Sequence, residues 1–479
     1  MPEFDALHEL VHSLDQSEKR HFKIFAKRHI TNGESQYLRL FDILNNLEIY
    51  NETTVKKQLG KSKFAKNLSS GKNYLYNLVL RSLRSYNNGR SLRTSLHELW
   101  LDINILMEKG LLKQAAKLIR KAKKLAGSHH YDIQMLEILL MERKLIRRYT
   151  SNHANELIRD CQDISTELID RIRYRLKMLD LYENLFLNHR DQNEARQSLS
   201  ETVILAEQLV AEQPQHTGFE VMLYYHILCF NYAKLARDYT QANQHLRSLI
   251  ALYEEHTFMI DEDQEGYINI LNNYLNNCFI LNRIDEFPPI LNKMRHTEAQ
   301  NFKIKALIFQ SVYYLEVVYH LSRKAYKEVI NIVPDIKIGL STYGSNITKS
   351  RELAIIYNVA IAYFLEKDYP KALDWINRIL NEPKLEERQD IQDLARIFQI
   401  VLHYELGNQD FTESLILSAN RYLRKKEKHR SAEFIIANHL KQALFSDPKK
   451  EKVIFSKLET ELKNVNGLEE IKIWIASKI

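Results

Sequence analysis

The sequence predicts an all-α protein, and three observations predict it. Glycine and proline number 12 and 8 in 479 residues, where average usage gives roughly 34 and 24, too few to turn the corners of a β-sandwich or barrel. Apolar residues recur at i, i+3 and i+4 in one segment after another, the period of a helix with one face in a core. No two glycines stand in G-x-G spacing, which removes the phosphate-cradling turn of a dinucleotide fold.

With 45% apolar and 27% charged residues, the chain can bury a sizeable core and is too mixed for disorder. Its longest near-continuous apolar stretch, Ala354 to Leu365, is interrupted by Asn358 and falls short of the ~20 residues a bilayer requires. The start, Met1-Pro2-Glu3-Phe4-Asp5, is acidic where a secretory signal is basic and then apolar, so a cytoplasmic location is expected. Cys161, Cys229 and Cys278 are widely spaced in helical sequence and read as reduced packing residues rather than a disulfide or zinc framework.

Residues 1–90 read as a basic helical module. Segments 3–14, 17–30, 35–49, 53–60 and 63–86 are each amphipathic, with breaks at Asp15, Asn32, Gly33, Asn51 and Gly60. The pair 53–60 and 63–86 has the short glycine-containing joint of a helix-turn-helix, with Tyr74, Leu78, Leu83 and Tyr86 on one side of its second helix. A cap closing the open apolar end of a helical array needs the same amphipathic helices.

From about residue 95 to 440 one pattern recurs: an apolar helix, a short polar turn, a small residue, a second apolar helix. In its best copy, Ile356, Val359, Ala360 and Tyr363 precede Lys367-Asp368-Tyr369, then Ala372, Ile376, Ile379 and Pro383. A second runs through Leu228, Ala233, Asp238, Tyr239, Ala242, Leu246 and Leu249, and a third through Leu99, Leu106, Ala115, Ile119 and Ala122. This resembles a tetratricopeptide repeat, with Ile356 where that motif has tryptophan and Ala360 where it has glycine. Units are aligned on the residue opening the second helix: Ala115, Ala154, Ala195, Ala242, Ile290, Val329, Ala372, Ser414 and Val453. The resemblance implies a right-handed α-α superhelix of about eight hairpins of roughly 40 residues over 91–440, closed by capping helices in 441–479.

The net charge of +7 is unevenly spread: residues 1–150 hold 27 Lys and Arg against 15 Asp and Glu, leaving −5 for the rest. Between Thr53 and His97 there is no acid, while Lys56, Lys57, Lys61, Lys63, Lys66, Lys72, Arg81, Arg84, Arg90 and Arg93 are positive. Lys113, Lys117, Lys121 and Lys124 recur at helical spacing as one cationic stripe, beside Lys109, Arg120 and Lys123. Such runs serve either as solvated helix faces or as a surface for an acidic partner or nucleic acid.

Motifs for chemistry are sparse. His8-Glu9-Leu10-Val11-His12 is a literal H-E-x-x-H, the spacing that puts two imidazoles on one helix face for zinc. Only seven residues precede it, and no third ligand beyond Glu34 or another later acid suggests itself. Asp261 to Gly266 begins like a calcium loop, but Asn272 stands where the bidentate glutamate belongs, so helix capping is expected. Gly339 to Gly344 has phosphate-loop spacing, yet Ser345 and Asn346 replace Lys and Ser/Thr. No enzymatic activity, cofactor or metal is expected.

In tetratricopeptide-like arrays the first helix of each unit lines a concave groove, where an asparagine can bond a peptide backbone through donor and acceptor. The resemblance puts Asn104, Asn184, Asn231 and His403 at one inward position, with Phe279, Val318 and Ile361 in the other units. Trp100, Tyr224, Lys234 and Tyr357 fall at neighbouring positions. The expected function is a non-enzymatic scaffold for a protein or peptide. The alternative is a nucleic-acid-binding regulator that uses 53–124.

Overall fold

The computed structural model describes residues 5–29, 34–60, 63–87, 89, 91–148, 154–190, 196–211, 214, 216–382, 388–425, 431–465 and 467–479. Among them every regular element is helical and no strand occurs. No helix among the described residues is long and apolar enough to cross a membrane. The chain forms two units, Met1–Asp263 and Gln264–Ile479.

The first unit opens with α1 (Ala6–Ser13), α2 (Gln16–His29), α3 (Glu34–Asn46), α4 (Glu52–Leu59), α5 (Lys63–Lys66) and α6 (Leu68–Tyr86). Asp5 and Asn51 cap α1 and α4, each accepting from a backbone N–H three residues on. Apolar faces from all six helices, Leu7 to Val79, share one core. Then come α7 (Leu92–Glu108), α8 (Leu112–Ser128), α9 (Asp132–Arg148), α10 (Ala154–Arg190), α11 (Arg196–Ala211), α12 (Phe219–Leu235), α13 (Tyr239–Glu255) and α14 (Thr257–Glu262). Consecutive helices from α7 to α13 pack as neighbours, and α10 also meets α12.

The second unit comprises α15 (Gln264–Ile280), α16 (Phe287–Arg295), α17 (Phe302–Ser322), α18 (Tyr326–Tyr343), α19 (Lys349–Leu365), α20 (Tyr369–Leu380), α21 (Gln389–Glu405), α22 (Gln409–Lys425), α23 (Ala432–Ala443), α24 (Pro448–Leu462) and α25 (Glu469–Ala476). Its first helices touch in series, α15 to α17 to α19 to α21 to α23, and each intervening helix packs on the next first helix. Helix α19 therefore has α17, α18, α20, α21 and α25 as neighbours. That explains why Leu353 to Phe364 is apolar almost throughout, since a helix packed against five others has little surface left to make polar.

Six hairpins among the described residues share one joint. Gly110, Arg237, Asn282, Lys324, Lys367 and Gly407 each take a left-handed φ of 54° to 73° after a first helix. The next N–H then donates back five residues, as from Asp368 to Tyr363 and from Asn408 to His403, at 2.8–3.1 Å. This Schellman closure satisfies the last carbonyls of the helix and fixes where the second one starts. In consequence the fourth residue of the second helix is buried in all six: Ala115, Ala242, Ile290, Val329, Ala372 and Thr412. Asp238 and Asp368 cap the helices they precede.

This register corrects the alignment at several places. Thr412, fully buried, holds the position expected of Ser414, which is exposed. Val453 is 56% exposed and opens no such packing. Ala154 begins a single 37-residue helix rather than the second rod of a hairpin, and Ala195 and Pro383 lie outside the described residues. The Gly339–Gly344 stretch is the end of α18 and a following 3-10 turn. Gly339 lets the Phe309 ring lie against the helix, because a Cβ there would stand 1.9 Å from Phe309 Cε2.

Three measurements test these assignments. Non-glycine residues in the left-handed region cost about 1 kcal/mol or more. Denaturant unfolding of Lys367→Gly is expected to show a gain of about 0.5–1 kcal/mol, and Gly407→Ala a comparable loss. Gly339→Ala is expected to cost about 1–3 kcal/mol through overpacking, yet to be neutral or stabilising in a Phe309→Leu background, where helix propensity is left to act. The third concerns the α12–α13 hairpin, where His226 Nδ1 lies 3.0 Å from His245 Nδ1. Burial lowers both imidazoles below their ordinary value, and His245 adds to the effect on His226. The unfolded chain takes up these protons first, so this contribution is fully present above about pH 6.5 and lost as pH falls below it. The thermal midpoint should fall between pH 7.5 and 5, and His226→Leu should flatten that slope.

Candidate functional site

The common joint sets the register of the first helices. The residue six before it is Asn104 in α7, Asn231 in α12, Asn276 in α15, Val318 in α17, Ile361 in α19 and Val401 in α21. Asn276 and Val401 thus occupy the place expected of Phe279 and His403, a slip of three and two residues. Asn184 lies exposed in the last two turns of α10, which no described joint follows directly. The signal that finds Asn276 is Asn282, a residue tolerant of left-handed backbone just before the Ile284–Glu286 turn.

The asparagines do not present a free amide. Asn104, Asn231 and Asn276 each donate Nδ2 to the carbonyl four residues back, Trp100, Ile227 and Asn272, at 2.8–3.0 Å. That local bond uses one of the two amide hydrogens inside its own helix. Trp100 is 36% exposed on α7, Lys234 is exposed on α12, and Tyr224 is half-buried against the Met178–Leu228 core. His403 is buried within its own hairpin, its Nδ1 3.0 Å from Asn408 Nδ2 and its ring against Phe411.

Tyr357 is covered by the chain itself. Its hydroxyl donates to Glu470 Oε1 of α25 at 3.0 Å, and burial raises the pKa of both groups. Helix α25 buries Ile471, Trp474 and Ile475. Trp474 packs against Phe364, Tyr404 and Phe455 and donates its indole N–H to Glu405 at 2.8 Å. Lys478 pairs with the same carboxylate at 2.6 Å. An amphipathic helix therefore already lies on part of the first-helix face.

Beside α25 that face is open. A cleft of about 540 Å³ is floored by Asn276 and Phe279 of α15, Val318 of α17 and Ile361 of α19, and walled by Glu469, Glu470 and Ile473 of α25. Phe279 and Ile473 are 45% and 47% exposed in it. Its lining is mostly apolar with a few polar atoms, as binding clefts are.

The basic residues separate into paired and unpaired. Lys72 is half-buried and held by Asp5 at 2.6 Å and by the Tyr50 hydroxyl at 2.8 Å, and Glu52 stands 3.9 Å away. Lys56 pairs with Glu52, Lys123 with Glu142 and Arg93 with Glu220. Lys57, Lys66, Arg81 and Arg84 are exposed, as are Lys113, Lys117, Lys121 and Lys124 on the face of α8 opposite buried Ala115, Ile119, Ala122 and Ala126. Lys61 and Arg90 lie outside the described residues, and Lys63 opens α5.

The remaining motifs have structural partners. His8 and His12 donate Nε2–H to the carbonyls of Leu47 and Leu44 at 2.7 and 2.9 Å, tying α1 to the end of α3. Glu262 accepts from the Leu92 N–H and the Ser91 hydroxyl, capping α7, while Asp263 accepts from Tyr253 and Glu265 pairs with Lys303. Among the described residues no three His, Cys, Asp or Glu side chains converge as metal ligands. Cys161, Cys229 and Cys278 are buried free thiols. No protein-family model matches this chain, and no curated protein matches it.

Proposed function

We propose that this is a non-enzymatic helical-repeat scaffold of tetratricopeptide-like hairpins that holds a protein segment on the first-helix face of its second unit. The observation that carries the reading is the open cleft over α15, α17 and α19, continuous with the face on which α25 lies. That helix shows what chemistry the surface accepts: apolar side chains one turn apart, with a polar edge. The partner is accordingly an amphipathic helical segment docking by preorganised shape, the helix-in-groove mode. The concave placement and handedness of the hairpins belong to this proposal, as does a cytoplasmic location.

Panning a displayed library of random 16-residue peptides against the full chain tests it. Enriched sequences should carry apolar residues at i, i+3 or i+4 and i+7. Val318→Glu should weaken them at least tenfold, since it puts a charge in an apolar floor. Enriched peptides indifferent to Val318→Glu and Phe279→Ala, or no enrichment at all, would exclude this cleft as the docking site.

A further inference from the structure

A different surface, independent of the cleft, presents a basic and amide-bearing helix face. Helix α6 buries Leu68, Gly71, Leu75, Leu78, Val79 and Ser82. Its opposite side exposes Asn73, Asn77, Arg81 and Arg84, with Lys66 of α5 two turns earlier. From Asn73 to Arg84 this row runs about 17 Å at 1.5 Å per residue. Lys66, Arg81 and Arg84 have no acidic partner among the described residues, and the chain supplies no acid between Thr53 and His97. Asn77 donates Nδ2 to the carbonyl and to the Oδ1 of Asn73. The Asn73 Nδ2 hydrogens and the Asn77 Oδ1 are left without a partner among the described residues.

The surroundings match a groove-reading helix. Helix α4 ends at Gly60, whose φ of 72° turns the chain toward α5 and α6, and both α4 and α6 pack on α3. We propose that the exposed face of α5 and α6 docks in the major groove of duplex DNA. Lys66, Arg81 and Arg84 meet phosphates, and Asn73 and Asn77 face base edges. A B-form major groove about 12 Å wide admits an α-helix, and its base edges present donors and acceptors that the Asn73 Nδ2 hydrogens and the Asn77 Oδ1 can meet together, one residue donating and the other accepting. The major groove of A-form RNA is too narrow for this. Single strands call for free aromatic platforms, whereas the Tyr74 ring beside this face is tilted against Tyr37, centroids 4.6 Å apart. The α8 lysine stripe has charge without such amides and serves as the comparison.

The test is fluorescence anisotropy of the full chain with a labelled 30-base-pair random duplex between about 50 and 200 mM salt, the range over which phosphate contacts weaken steeply. Wild type should bind at the lower salt. The triple variant K66Q/R81Q/R84Q should weaken binding at least tenfold and reduce the slope of log affinity against log salt by about 2.7, and Arg84→Gln alone by about 0.9. K113Q/K117Q/K121Q should stay within threefold of wild type, and thermal midpoints should match throughout. Should the triple variant prove unstable, the Arg84→Gln slope decides. No binding at low salt overturns the proposal, as does an equal loss in the α8 variant, an unchanged slope in Arg84→Gln, or tighter binding of duplex RNA or a single strand of the same length.

Discussion

A helix that ends leaves four carbonyls without partners, and the way this chain satisfies them organises the hairpins. One hydrogen bond running back five residues, made possible by one residue in left-handed backbone, ends the first helix of each of these six hairpins and aims the next. Because the turn has the same length in five of the six hairpins, with a 3-10 turn added before α16, the side chain that enters each inter-helix gap occupies the same place. Small residues there, Ala115, Ala242 and Ala372, let two rods approach, and Ile290, Val329 and Thr412 fill wider gaps. The register of these six first helices, and with it the floor of the cleft, follows from that closure.

Much of this was legible in the sequence, in proportion to how local the cause is. Scarce glycine and proline, helical periodicity and the Lys367-Asp368-Tyr369 turn identified the all-α class and the α19–α20 hairpin, whose expected core residues Ile356, Val359, Ala360, Tyr363, Ala372, Ile376 and Ile379 are all buried. The register of the weaker hairpins was not, because four of the six left-handed positions hold Arg, Asn or Lys instead of glycine. Without a glycine to mark the turn, alignment by apolar residues slid to Phe279, while the slip to Ser414 arose beside Gly407, where exposed Phe411 and Leu417 blur which face of α22 is apolar. The continuity of α10 was hidden for a related reason: a 37-residue helix and two short ones share the same apolar period.

The candidate sites divide along the same line. A position on one helix can be read from spacing, so the lysines of α8 and the exposed face of α6 stand where periodicity puts them. What a distant segment does cannot. Nothing near Lys72 in sequence announces Asp5, and nothing near Tyr357 announces Glu470, yet these pairings remove one from the free basic surface and the other from the groove. Both partners lie more than 60 residues away, where only the folded core brings them together.

The position of α25 also sets a limit on what the scaffold can carry. Helix axes pack 8–10 Å apart, so the stretch from α15 to α19 that the C-terminal helix leaves bare spans roughly 20 Å. At 1.5 Å per residue a helical guest has room for about thirteen residues. On the docking proposal, α25 would then act as a built-in ruler: longer guests would have to bend away or stop at Glu469, and the length admitted would be set by where the chain folds back on itself.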